Sequence, residues 1–426
     1  MLDINMFREN KDVIIADHNK RKLPHDNIIE VIRLDEEWRK ARYDSDILRK
    51  ERNEAARRIA AAKKDNDTQK VDEIMKEVAT IGSKIEELVV LADNYLKERD
   101  SLRMKIPNIL HESVPVGEDD QKNTLHSLHG NKVELNFSAK THNQILDENS
   151  WVDLDRGAKI TGSRFYFLKG DLARLELSLQ IYSSNFLMNR GYTLIQPPLM
   201  MNKESYEGVT DLDDFETVMY EINPDGYYLI ATSEHPLTAM RMGEIIEPSE
   251  LPIKLVGISQ CFRREVGAHG LSDKGIWRVH QFTKIEQVII CRPDESWEMH
   301  EDLLKNAIDL WDSLGLHYRV VNICTGDMGT VASKKYDLEA WLPGANEYKE
   351  VVSCSNCTDY QANRLKMRYR TSNGNAAVHT LNSTAIATSR ALVAIMEQYQ
   401  DGEGRIVIPE VLQPLMNNQK YLQPLK

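Results

Sequence analysis

Apolar residues recur through the first hundred positions at a spacing that suits a helix. Through Val71, Ile74, Val78, Ile81, Ile85, Leu88, Ala92 and Tyr95 the steps alternate between three and four without a break, the a/d seam of a coiled coil. An earlier stretch keeps the rhythm through Leu34, Trp38, Ala41, Leu48, Ala55, Ile59 and Ala62, with Ser45 and Arg52 interrupting it. Between the two, Lys64-Asp65-Asn66-Asp67-Thr68 reads as a turn. From Asn27 to Arg103 there is no proline and one glycine, Gly82, and helix formers dominate. The pattern predicts a long antiparallel helical hairpin over residues 27–104. Each arm would reach roughly 50 Å at about 1.5 Å per residue.

Lys105-Ile106-Pro107-Asn108 ends that pattern, and Val114-Pro115-Val116-Gly117 with Glu118-Asp119-Asp120 reads as a polar linker. Beyond it, short β-rich runs (Tyr227 to Ala231, Ile253 to Ile258, Trp277 to Glu286, Val288 to Cys291, Tyr318 to Asn322) alternate with helical ones (Leu172 to Asn189, Ser296 to Leu314, Thr384 to Gln398). The fold class is α+β. The division expected is a helical arm domain over 1–110, a linker over 111–135 and a mixed domain over 136–426.

Composition adds three constraints. The chain of 426 residues carries a formal charge of -12, which disfavours nucleic-acid binding unless a local basic face exists. Such a face does exist: between Arg39 and Lys64 ten Lys or Arg stand against four acids. It reads either as a solvated coiled-coil surface or as a grip on a phosphate backbone. Five scattered cysteines form no disulfide framework. No leader-like or membrane-spanning run stands out, so a cytoplasmic location is expected.

No glycine-rich phosphate loop of the Walker or dinucleotide type is present, so a nucleotide must be held differently. The stretch Val256 to Gln287 offers a means. It reads as strand, loop, strand, and period two puts Arg263 with Glu265 on one face and Arg278, His280, Phe282, Lys284 and Glu286 on another. Arginines can neutralise a polyphosphate, an exposed aromatic can stack on a base, and a carboxylate can receive an amine. By itself a hairpin of this kind is more often a solvated sheet face.

Phe262-Arg263-Arg264-Glu265 followed by Arg278-Val279-His280-Gln281-Phe282 resembles motif 2 of the class II aminoacyl-tRNA synthetases, and with Lys284 and Glu286 it resembles the seryl branch. Gly191-Tyr192 with Pro197-Pro198 resembles motif 1, the dimer-interface motif, and Leu381-Asn382-Ser383-Thr384-Ala385 leading to Arg390 resembles motif 3. The hairpin, Pro107-Asn108, Val114-Pro115 and Gly162-Ser163-Arg164-Phe165 also match seryl-tRNA synthetases.

The resemblance implies a catalytic domain built on an antiparallel sheet flanked by helices, and a homodimer. It implies activation of L-serine with ATP and transfer to tRNA(Ser), with tRNA(Sec) a further candidate. Arg263, Glu350 and Arg390 would be catalytic. ATP would meet Arg263, Arg264, Glu265, Arg278, Val279, Phe282, Glu350, Val351, Val352, Ser353 and Arg390. Serine would meet Thr232, Ser233, Glu234, Arg263, Glu286, Asn382 and Thr384. Glu350 and Ser353 would hold Mg²⁺, whose preference is for hard oxygen ligands. Strict alternation puts those two on opposite faces, so the strand must end or bulge between them. The tRNA contacts expected are Arg39, Arg42, Arg49, Arg52, Arg57 and Arg58.

Motif 3 here has Asn382-Ser383-Thr384 where many bacterial relatives have Asn-Gly-Ser, and the motif 2 loop from His269 to Gly275 is less basic than usual. Cys354 and Cys357 form one Cys-x-x-Cys with neither a second pair nor a nearby histidine, a poor zinc site. A non-enzymatic coiled-coil protein would account for the first 105 residues and leave Arg263, Glu265, Phe282 and Arg390 unexplained.

Overall fold

The heptad seam folds as its spacing requires. In a computed structural model describing residues 1–132, 134–211, 218–265 and 275–425, the chain forms two units, Met1–Ile109 and Leu110–Lys426. In the first, short helices α1 (Ile4–Glu9) and α2 (Lys11–Arg21) precede the long pair α3 (Asp26–Lys64) and α4 (Thr68–Met104). Val71, Ile74, Ile81, Ile85 and Ala92 of α4 are buried against Leu34, Ala41, Ala55 and Ala62 of α3. Ser45 is buried in the seam, while Arg52 points to solvent. At the tip Asn66 takes a left-handed conformation (φ 57°), and the Asp67 carboxylate caps α4 by accepting from Lys70 N.

The base of the hairpin is held by charge. Asp35, 2% exposed, accepts from Arg8 Nε and Nη2 and from Arg99 Nη1, all at 2.8 Å, and from Arg39 Nε at 3.0 Å. Burial alone would raise the Asp35 pKa, but Arg8 and Arg99 outweigh it and hold the carboxyl below the ordinary carboxylate value. One anion thus joins α1, α3 and α4.

The second unit is built on an eight-stranded sheet. Its strands are β1 (Thr124–His129), β2 (Thr193–Ile195), β3 (Ile253–Phe262), β4 (Gln281–Cys291), β5 (Tyr318–Asn322), β6 (Lys334–Leu342), β7 (Glu347–Asn356) and β8 (His379–Ala387). The order is β1-β5-β6-β7-β8-β4-β3-β2, antiparallel except where β2 runs parallel to β3. Helices α5 (Gly170–Met188), α7 (Ser296–Ser313) and α8 (Thr388–Gln398) pack on it around Leu175, Leu179, Trp311, Tyr318 and Ile386; α6 (Glu234–Ala239) is short and mostly buried. Among the described residues no helix is long and apolar enough to cross a membrane.

Several boundaries differ from the sequence reading. The segment 111–135 is not simply a tether: it contributes β1, which pairs with β5 at the sheet edge. The two runs Trp277 to Glu286 and Val288 to Cys291 are one strand starting at Gln281, and Trp277 to His280 lie outside it. Thr384 to Ala387 belong to β8, not to the following helix, because their backbone pairs with β4. Strands β6 and β8 went unread because Lys, Asp, Glu, Asn and Ser interrupt their apolar pattern, and β7 was anticipated only around Glu350 and Ser353.

Candidate active site

Side chains from seven elements converge on a cavity of about 300 Å³ above the central strands. β4 supplies Phe282, Lys284 and Glu286, whose alternation puts all three on one face. The end of β3 supplies Arg263, and the segment entering α6 supplies Ala231, Thr232, Glu234 and His235. β6 supplies Lys335, β7 supplies Glu350, Val351 and Ser353, and β8 with α8 supplies Asn382, Thr384, Ala387 and Arg390. Gly257 on β3 makes the close approach possible. A Cβ there would lie 2.9 Å from Ser233 Cβ and 3.0 Å from Leu237 Cδ2, pushing the Thr232–Glu234 segment away.

The expected irregularity of β7 is present. Val352 pairs with Leu338 and Glu350 with Glu339, leaving Val351 as the extra residue of a bulge. Glu350 and Ser353 therefore face the same cavity. A second shift, where Ile285 pairs with Ile386 and Glu286 with Thr384, gives β8 a bulge beside it.

Four cations (Arg263, Lys284, Lys335, Arg390) and three carboxylates (Glu234, Glu286, Glu350) share this small space. Arg263 donates from Nε to Ala231 O at 3.2 Å, and its guanidinium stands 5.4 Å from the Phe282 ring centroid. Arg390 Nη1 donates to Glu350 O at 2.9 Å, and the guanidinium lies over Trp277. Desolvation within the cavity acts to raise the pKa of the surface-accessible Glu350, but Arg390, Lys335 and Arg263 reverse it and hold the carboxyl below its usual value. On the opposite side, Lys284 Nζ is 2.6 Å from Glu286 Oε2 and 3.1 Å from Thr232 Oγ1. Asn382 Nδ2 donates to Glu234 Oε1 at 3.1 Å. Burial and the neighbouring Glu286 push the Glu234 carboxyl up to about 7, and burial also raises the Glu286 pKa. His235 is kept neutral, its pKa lowered to about 3 by burial, Lys284 and Arg263.

A larger hollow of about 730 Å³ lies by Thr141–Asp147 and Leu342–Glu347, without a comparable set of cations. The smaller cavity is the site because fixed charges of both signs suit a polyphosphate and a zwitterion together.

Of the residues expected at the nucleotide, Arg263, Phe282, Glu350, Val351, Ser353 and Arg390 line the cavity. Arg264, Glu265, Arg278, Val279 and Val352 do not. Val279 and Val352 point into the core. The period-two argument fails at Glu265, because β3 ends at Phe262 and Glu265 has a left-handed backbone (φ 45°). Arg278 Nη1 nevertheless reaches Glu265 Oε2 at 3.4 Å, so the two meet across the strand ends. His280 also leaves the expected face: it stacks on Phe165 and is hydrogen-bonded through Nδ1 to the Tyr220 hydroxyl at 2.6 Å. Ser233 is buried under the serine-side residues with its hydroxyl toward Gly257 O. Lys335 and His235 were missed: the first lies on an unread strand, the second next to a recognised segment. The motif 2 loop residues His269 to Lys274 lie outside the described residues. Cys354 points toward the His300 carbonyl and Cys357 toward Asn382; among the described residues no three His, Cys, Asp or Glu converge as a metal cluster.

Comparison with known proteins gives the architecture its family. Residues 1–110 match the seryl-tRNA synthetase N-terminal domain, and residues 217–399 match the class II tRNA synthetase core domain (G, H, P, S and T). The serine–tRNA ligase of Methanocella arvoryzae is 50% identical, the alignment covering 99% of this chain and all of the relative. The chain belongs to the seryl-tRNA synthetase family. The seryl-tRNA synthetase of Pyrococcus horikoshii, solved with ATP, is 41% identical over the full length of both chains with a TM-score of 0.94. The cytoplasmic serine–tRNA ligase of Naegleria fowleri, solved with AMP, is 36% identical, covers 100% of this chain and 99% of its own, and has a TM-score of 0.90. The chain is thus a class II aminoacyl-tRNA synthetase, a serine–tRNA ligase with a helical arm and a largely antiparallel sheet in its core domain.

Proposed function

We propose that the charged cavity carries out both halves of serine ligation, with ATP against β3, β4 and α8 and serine against β4, β8 and the start of α6. In the first half a carboxylate oxygen of L-serine bonds to the α-phosphorus of ATP. The bond from that phosphorus to the bridging oxygen breaks, and pyrophosphate leaves. In the second half a terminal ribose hydroxyl of tRNA bonds to the seryl carbonyl carbon, and AMP leaves.

Arg263 is the residue we assign to the charge that develops on the α-phosphate, since its guanidinium is fixed at Ala231 O beside the cavity. Phe282 stacks on adenine, and Arg390 and Arg278 meet the outer phosphates. The arrangement that supports this most is Arg263, Glu350 and Arg390 lining one wall with Glu234, Glu286 and Thr384 facing the same space. Glu234 and Glu286 receive the serine ammonium, while Asn382 and Thr384 read its hydroxyl. A site that hydrogen-bonds a hydroxyl rejects alanine, which would leave its polar groups unpaired.

Mg²⁺ fits the donor set. Glu350 and Ser353 offer oxygens to the cavity, and Asp337, directly opposite Ser353 in the ladder, has a buried Oδ1 without a hydrogen-bond partner among the described residues. Bound there, the ion would neutralise phosphate charge.

The basic α3 surface is the tRNA grip in this reading. Arg42, Arg52 and Arg57 are exposed, while Arg39, Arg49 and Arg58 are held by Asp35, Asp46 and Glu77. A homodimer is supported by the exposed Leu177, Ile181 and Met188 on α5 and Leu194 on β2. Cytoplasmic protein synthesis is the setting that fits the family. Serine-dependent exchange of pyrophosphate into ATP tests the site: Arg263→Ala should lower it by about 10²–10³. Exchange within about threefold of the parent would refute the assignment. Charging of tRNA(Ser) and of tRNA(Sec) on the same preparation tests the two partners.

A further inference from the structure

Lys284 has no role in the scheme above, yet it sits at the centre of the amino-acid side. Its side chain is 10% exposed and lines the cavity. The ammonium lies 2.6 Å from Glu286 Oε2 and donates to Thr232 Oγ1 at 3.1 Å. That hydroxyl oxygen also accepts from Glu234 N at 3.2 Å. One cation therefore links β4 to the segment entering α6, and through it to Glu234.

We propose that Lys284 is a positioning residue for serine: it holds the Glu286 carboxylate ionised and in place, its hydrogen bond to Thr232 Oγ1 fixing where the ammonium sits, so the substrate meets a preformed acceptor. This rests on the reading of Glu286 as a serine ligand.

Glu286 is 1% exposed, and a carboxylate so buried takes up a proton unless a cation pairs with it. Among the described residues the groups acting on it are Lys284 on its own strand, Thr384 from β8, Glu234 from α6, Arg263 and Cys261 from β3 and its end, and Cys354 from β7. Thr384 brings an uncharged hydroxyl, the thiols are held in their protonated form by burial, and Glu234 repels. Arg263 is engaged with Ala231 O and faces the nucleotide side. Lys284 is the cation in contact with Glu286. Set against two acids, it leaves at most one net negative charge on the amino-acid side, the complement of a single ammonium.

The test is serine-dependent pyrophosphate exchange by the full chain carrying Lys284→Met, Lys284→Arg, Glu286→Gln or Lys284→Met with Glu286→Gln. Lys284→Met should raise the KM for serine about ten- to a hundredfold, the range of a lost charge-assisted hydrogen bond, with the KM for ATP changed less than about threefold. The defect should shrink as pH rises, because Glu286 then ionises without its cation. Lys284→Arg should recover most of the loss. The double variant should be no worse than Glu286→Gln, since Lys284 acts through that carboxylate. Additive losses, or KM values for serine and ATP rising together, would overturn the proposal in favour of a packing role. Should Lys284→Met fail to fold, Lys284→Gln removes the charge while keeping a donor and is read the same way. If Glu286→Gln leaves the KM for serine unchanged, the serine reading itself fails. If Glu286→Gln raises it and neutral Lys284 variants do not, only the role of Lys284 fails.

Discussion

Replacing Glu234 by glutamine should stabilise the folded enzyme in alkali and make it a poorer host for serine. The Glu234 carboxyl, ordinarily near 4.5, is pushed up to about 7 by burial first and the charge of Glu286 second. That difference corresponds to about 3 kcal/mol between the protonated and ionised forms. The side chain keeps contact with the open cavity, so screening reduces the expected effect to about 2 kcal/mol. The folded value lies above the unfolded one. Between them the folded protein keeps a proton that the unfolded chain has released, so stability falls as pH rises from about 4.5 to about 7. Glutamine copies the protonated form: its Oε1 can still accept from Asn382 and Gln361, which now donate to Glu234 Oε1 at 3.1 and 3.5 Å. The variant should match the parent near pH 4.5 and exceed it by about 2 kcal/mol near pH 8. Urea unfolding followed by tryptophan fluorescence over that range measures the gap. Saturating serine should narrow it, because an ammonium beside Glu234 stabilises only the carboxylate. A gap that stays constant with pH, or widens toward acid, would show that Glu234 is ionised throughout and that burial does not raise its pKa.

Thr384→Ala should raise the KM for serine and narrow the preference for serine over alanine; an unchanged ratio in exchange assays would move the hydroxyl reader to Asn382. The arm can be shortened along its own pairing, set by Arg58 opposite Glu77 and Asp35 opposite Arg99. Removing Asp44 to Leu91 with a short linker should spare pyrophosphate exchange, collapse tRNA charging and flatten the salt dependence of tRNA affinity. Near-normal charging by that variant would reduce the hairpin to a structural brace. Asp35→Asn should destabilise the base of the hairpin by about 3 kcal/mol, because Arg8 and the buried Arg99 lose their shared anion and Arg99 keeps only the half-exposed Asp100. The Asp35 carboxyl sits below its ordinary value, so its contribution is full above that value and disappears as pH falls through the folded one. Hydrogen exchange in Ile4–Glu9 and around Arg99 at neutral and acid pH checks both statements.

The arm was legible because a coiled coil repeats one local rule. Val71 to Tyr95 states it seven times over, and the turn at Asn66 carries the residues a turn needs. The site was legible in part. Phe282, Lys284 and Glu286 share a strand, so alternation alone groups them. Alternation cannot say where a strand stops, and this misassigned Glu265 and His280. The sheet beyond β4 was largely hidden, since Glu350, Ser353, Asn382 and Lys335 interrupt the apolar pattern by which strands are read. The polar residues that make the site are the ones that disguise its scaffold. Gly257 carries no signal by itself; its meaning comes from Ser233, which is distant in sequence and close in space.

The extra residue at Val351 makes insertion and deletion unequal events in this part of the chain. In a regular strand, losing or gaining one residue reverses the facing of everything on one side of the change. Here one place is already doubled, with Glu350 and Val351 both toward the cavity and Val352 away from it. Losing Val351 restores an even ladder and leaves Glu350 and Ser353 on a common side. Gaining a residue between them sets the donors four apart, on one face again by alternation, but puts two unmatched residues against β6 where there is now one and spreads the pair along the strand. Length variation among natural descendants of this strand should therefore run toward shortening at position 351 rather than lengthening between 350 and 353.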